Sequence, residues 1–103
     1  MAVIGAFIVS NTASSAQPAW GENVSNSIAI GSESQASSKG TIAIGSVIDV
    51  DNPGASATSE SAIAIGSGSI SSDYKSIAVG NGANASGNVS LALGATSSAT
   101  VEG

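Results

Sequence analysis

A five-residue phrase that returns at a fixed interval constrains this chain more than any other feature. Ser27-Ile-Ala-Ile-Gly31 is followed by Thr41-Ile-Ala-Ile-Gly45, Ala62-Ile-Ala-Ile-Gly66, Ser76-Ile-Ala-Val-Gly80 and Ser90-Leu-Ala-Leu-Gly94. Their terminal glycines are spaced 14, 21, 14 and 14 residues apart. The period is therefore 14, with one insertion of 7. A unit this short cannot bury an apolar face alone, so successive units must stack, which predicts a solenoid.

Each unit reads as two short strands. Ile28-Ala29-Ile30 alternates large and small, the period of a strand with two unlike faces. A second alternating pattern follows each glycine at offsets 3 and 5: Ser34 and Ala36, Ser69 and Ser71, Ala83 and Ala85, Ser97 and Ala99. Two strands and two turns of about two residues fill the period. Stacked parallel in register at ~4.8 Å, five rungs span roughly 20 Å. The fold class is all-β: a parallel β-roll or solenoid of 14-residue coils. After Gly45 the usual offsets hold Ile48 and Val50, and Ala55 and Ala57 restore the pattern seven residues later. The insertion thus lies near 46–54, where Asp51-Asn-Pro-Gly54 is a strong turn signal.

The large aliphatics make the regular apolar rows. Ile28, Ile30, Ile42, Ile44, Ile63, Ile65, Ile77, Val79, Leu91 and Leu93 are expected to fill the coil interior. Ala29, Ala43, Ala64, Ala78 and Ala92 then lie on the opposite face. That flat row admits close approach of another backbone and is the expected subunit-association row. A coil with three aromatic residues in the whole chain buries little area, so an isolated copy is expected to be marginal.

Composition narrows the function. There is no histidine and no cysteine, which removes the commonest general base and the thiolate metal sites. Many serines are present, but no base accompanies them, so neither enzyme activity nor a cofactor is expected. Net charge is −5, with Lys39 and Lys75 the only basic residues, which argues against nucleic acid and anionic lipid as partners. Asp49, Asp51 and Asn52 lack the further ligands of a calcium loop and read as a solvated turn, so no metal is expected. Asn23-Val-Ser25, Asn84-Ala-Ser86 and Asn88-Val-Ser90 match the glycosylation acceptor pattern but read as turn chemistry in so Asn- and Ser-rich a chain. Trp20 is expected to cover the open end of the first coil, and Tyr74 to lie exposed beside Lys75.

The start differs from the rest. Residues 1–10 are an apolar run, too short for a bilayer, and Ser14 and Ala16 fit an export cleavage site. Residues 1–16 read as the C-terminal part of a signal peptide whose basic region is missing, 17–26 as an N-terminal capping segment, and 27–103 as the repeats.

The five phrases with their trailing small residues, best seen at Ala83 and Ala85, resemble the YadA-like head repeat of trimeric autotransporter adhesins. The resemblance covers residues 27–103. It implies a left-handed roll, a homotrimer, and a site on the bacterial cell surface anchored in the outer membrane. It also implies binding to a host extracellular matrix protein, such as collagen, or to a cell-surface receptor. The stalk and the C-terminal membrane anchor that the family implies have no counterpart in these repeats, so the chain is expected to be a piece of a longer protein. The alternative is a structural spacer in a surface fibre that projects another binding domain. An ice-binding solenoid is disfavoured by the absence of a regular Thr array, and a hexapeptide acyltransferase by the wrong period and the missing His.

Overall fold

The computed structural model describes residues 22–23 and 26–103. The expected leader at 1–16, the expected capping residue Trp20 and most of the capping segment lie outside the described residues. Two families of strand alternate along the chain. The phrase strands are β2 (Ile28–Ile30), β4 (Ile42–Ile44), β6 (Ile63–Ile65), β8 (Ile77–Val79) and β10 (Leu91–Leu93). The trailing strands are β1 (Glu22–Asn23), β3 (Gln35–Ala36), β5 (Ser56–Ala57), β7 (Ile70–Ser71), β9 (Asn84–Ala85) and β11 (Ser98–Ala99). Each family forms its own parallel sheet, ordered along the chain. This is the expected solenoid of 14-residue coils.

Register is the same at every rung. Ala29 pairs with Ala43, Ala43 with Ala64, Ala64 with Ala78, and Ala78 with Ala92. In the other sheet Ala36 pairs with Ala57, Ala57 with Ser71, and Ser71 with Ala85. The ladder bonds repeat as regularly: the N–H groups of Ile28, Ile63 and Ile77 donate at 2.9 Å to Thr41, Ser76 and Ser90 of the next coil.

The interior reverses the expectation for the phrase strands. Ala29, Ala43, Ala64, Ala78 and Ala92 are the buried core, each at most 2% exposed. Ile28, Ile30, Ile65, Leu91 and Leu93 are exposed, and Ile42, Ile44, Ile63, Ile77 and Val79 are half-buried on the same outer face. The physical reason is the width of the coil. Corners of a few residues hold the two sheets so close that side chains from opposite walls meet at short range. The Ser71 hydroxyl of one wall lies 2.7 Å from both the carbonyl oxygen and the hydroxyl of Ser76 on the other. No isoleucine fits in that gap, so only Ala, Ser and Thr line it.

Buried hydroxyls need partners in such a core, and the corners supply them. Ser34, Ser69 and Ser97 each donate to the phrase glycine three residues back, at 2.7–2.8 Å. Thr41 and Ser76 do the same to Ser38 and Asp73 at the other corner. Among the described residues no buried side-chain polar atom is left unsatisfied.

The corners are tight enough to require left-handed backbone. The residue before each phrase has positive φ: Asn26 59°, Gly40 72°, Ser61 62°, Lys75 56° and Val89 55°. A β-branched residue in that region is strained. The phrase glycines lie at φ 115–153°, where a side chain is strained as well as crowded. A Cβ on Gly80 would stand 2.5 Å from the carbonyl carbon and oxygen of Gly94.

Candidate interaction surfaces

Because every interior position is small, all the large side chains of the phrases are displaced outward. Two in-register rows result on the outer face of the phrase sheet. One is Ile28, Ile42, Ile63, Ile77 and Leu91; the other is Ile30, Ile44, Ile65, Val79 and Leu93. With rungs ~4.8 Å apart the rows form a ridge roughly 20 Å tall that carries no charge. A contiguous apolar surface of that kind marks an interaction site. The residues expected inside the coil are thus brought together on its surface. The alanines expected on the association surface lie beneath them.

The trailing sheet presents a different face. Gln35, Ser56, Ile70, Asn84 and Ser98 form one row, and Ser37, Thr58, Ser72, Ser86 and Thr100 continue it. This wall is uncharged and, Ile70 apart, polar.

The 14-residue rhythm breaks at one corner. In regular coils the N–H of the third residue after the phrase glycine returns to that glycine's carbonyl: Ser34 to Gly31, Ser69 to Gly66, Ala83 to Gly80 and Ser97 to Gly94. In the second coil Ala55 makes that bond to Gly45 at 3.0 Å, across ten residues. The surplus leaves the wall after Ser46 and rejoins it at Gly54. Its outgoing arm belongs to the coil before it, with Val47 N–H donating to Ser32 at 3.0 Å. Its returning arm belongs to the coil after it, where Gly68 N–H donates to Pro53 at 2.6 Å.

The excursion is internally braced. Oδ1 of Asp49 accepts from the N–H of Asp51 at 3.0 Å, the N–H of Asn52 at 2.9 Å and the Asn52 side-chain amide at 3.0 Å. The Asn52 amide is the main influence holding the Asp49 carboxyl below its usual value; slight desolvation opposes it, and the two backbone N–H groups add to it. Asn52 in turn is held from neighbouring coils. Its carbonyl accepts from the Ser67 hydroxyl at 3.1 Å, and its Oδ1 from the Asn81 amide at 3.2 Å. At the tip Ile48 and Val50 are 68% and 93% exposed.

Both lysines sit at the opposite corner of the coil. Lys39 pairs with Glu60 at 3.6 Å, with both side chains solvated, and the Lys75 ammonium lies 5.0 Å from the centre of the Tyr74 ring. Among the described residues no group of three or more Asp and Glu could hold a metal ion.

Sequence reasoning missed the apolar ridge, although a signal for it was present. Positions 27, 41, 62, 76 and 90 share strand parity with the alanines, and all are Ser, Thr or Ala. A column that is small at every repeat marks a steric ceiling, and the alanine column shares it.

The family model for the YadA head domain repeat, in two copies, matches residues 25–46, 53–69, 57–83 and 74–97. No curated protein and no solved structure matches the chain significantly. The matched segments cover both sides of the excursion and most of the ladder, and the coil geometry is the one their spacing dictates: the chain belongs to the family of YadA head domain repeats.

Proposed function

We propose that this chain is the head of a bacterial cell-surface adhesin, exported and assembled as a homotrimer, that attaches to a host extracellular matrix protein or cell-surface receptor. The apolar ridge carries this reading. Ten aliphatic side chains in two unbroken rows, from Ile28 to Leu93, cannot all stay in water on a coil whose own core is alanine and serine. Packing three copies ridge to ridge buries them and supplies the core that one coil lacks. The association surface is then the isoleucine face, and the alanine row serves the coil itself. The polar uncharged wall and the corners are left to face a ligand.

The test is binding of the surface-displayed head to immobilised collagen, fibronectin and laminin. Binding that is absent from cells displaying an unrelated protein is expected for at least one of them. No binding to any would overturn the adhesin reading.

The uniform rungs favour the second reading, a rigid spacer that projects another binding domain. Removing two whole coils separates the two. A spacer loses function in proportion to length, whereas an adhesin loses it when single outward residues are changed.

A further inference from the structure

The geometry points to the excursion at Val47–Pro53 as the ligand-recognition element of this head, inserting Ile48 and Val50 into an apolar depression bordered by lysine or arginine on a matrix or cell-surface protein. The inference rests on the adhesin reading and gives it an address.

Three observations carry it. First, Ile48 and Val50 are the most outward aliphatics of the second coil, at 68% and 93% exposure, and they follow the phrase strand, which ends at Ile44, so they belong to neither row of the ridge. Large apolar groups on a solvated tip cost solubility, and the bond that closes the coil, from Ala55 to Gly45, does not involve them. Second, the tip is preorganised. Asp49 fixes the turn with three hydrogen bonds, and Ser67, Gly68 and Asn81 tie its returning arm to the next two coils. A loop already held in one shape loses little entropy on docking, which is how a small apolar contact becomes a strong one. Third, charge selects the partner. Asp49 and Asp51 alternate with the two aliphatics, and no basic residue lies within 46–54. A second copy of this chain is a poor receptor: its net charge is −5, Lys39 is paired with Glu60, and Lys75 lies over Tyr74. A different protein with a cationic rim around an apolar depression complements the tip.

The experiment compares the surface-displayed parent with Ile48→Ser/Val50→Ser and with Asp51→Lys, on immobilised collagen, fibronectin and laminin at low and high salt. All three side chains are exposed, so the coil is expected to fold; a cooperative thermal transition of each purified variant verifies this. A third variant, with residues 47–53 deleted, restores the 14-residue period and removes the tip outright. The expected result is parent binding that falls about tenfold or more in the double variant and the deletion. Asp51→Lys should weaken binding chiefly at low salt. Parent binding that is unchanged in the double variant and the deletion overturns the assignment of the site while leaving the adhesin reading intact. Failure of the parent to bind any of the three overturns both.

Discussion

The backbone N–H of Ala55 reaches the carbonyl of Gly45 at 3.0 Å, closing across ten residues the same turn that Ala83 and Gly80 close across three. The coil therefore treats the seven surplus residues as external to itself. Deleting residues 47–53 should give a chain that still melts cooperatively, with stability changed by less than about 1 kcal/mol, since a short loop and a few exposed hydrogen bonds are all that is lost. Thermal unfolding followed by circular dichroism checks this. Loss of the cooperative transition would mean that the coil depends on the excursion.

The interior tolerates no added bulk. Ala64 and Ala78 are fully buried between two sheets whose side chains already touch. Ala64→Val or Ala78→Val should cost about 1–3 kcal/mol by overpacking. Urea unfolding measures it; a neutral result would show that the walls can part.

The outward ridge makes the opposite demand. Ile63→Asp with Ile65→Asp places charges in the middle of both rows without touching the alanine core. The parent should sediment as a trimer and the double variant as a monomer in analytical ultracentrifugation. A trimer that survives both substitutions would place the interface elsewhere.

These two results mark what was legible in the sequence. The period, the strand pairs and the position of the break follow from counting. Alternation separates Ile28 and Ile30 from Ala29, but it leaves open which face is inside. The usual rule places the larger side chains in the core, and it fails here because a 14-residue coil has almost no interior. The bracing of the excursion was beyond reach for another reason. Asn52 meets Ser67 and Asn81 only after the coils have stacked. The expected leader and Trp20 lie outside the described residues.

Val89 holds a left-handed corner at φ 55° with its side chain exposed. Its β-branched side chain contributes strain there. Val89→Gly should stabilise the chain by about 0.5–1 kcal/mol, the relief of strain exceeding the entropy that glycine adds to the unfolded state. A lower urea midpoint would show that the Val89 side chain supplies packing that outweighs the strain.

Gly80 presents the converse case. With φ at 137° and the Gly94 carbonyl 2.5 Å from any Cβ, Gly80→Ala forces two coils apart. A loss of about 1–3 kcal/mol is expected in the same unfolding assay. An unchanged midpoint would mean that the stacking distance is adjustable.

Asp49 makes the excursion sensitive to acid. Its carboxyl is held below the ordinary 3.8 by the hydrogen bonds it accepts, chiefly from Asn52. A carboxylate with a lowered folded-state pKa contributes order that is present above its unfolded pKa and lost as pH falls through the folded one. Amide signals of Asp51 and Asn52 should therefore shift together below pH ~4, and Asp49→Asn should abolish their common shift. Titration of Asp49 at or above the ordinary value would contradict the bracing.

Five nearly identical rungs have a consequence for folding. Were β2 to pair with β6 instead of β4, isoleucine would still lie on isoleucine and alanine on alanine, so the walls themselves barely distinguish neighbours. The excursion removes that degeneracy. Its outgoing arm makes the backbone bond that other coils also make, but its returning arm takes the Ser67 hydroxyl and the Asn81 side-chain amide. A mismatched stack forfeits those bonds. The single irregular corner thus acts as the index mark on an otherwise unnumbered scale, giving each repeat an absolute position.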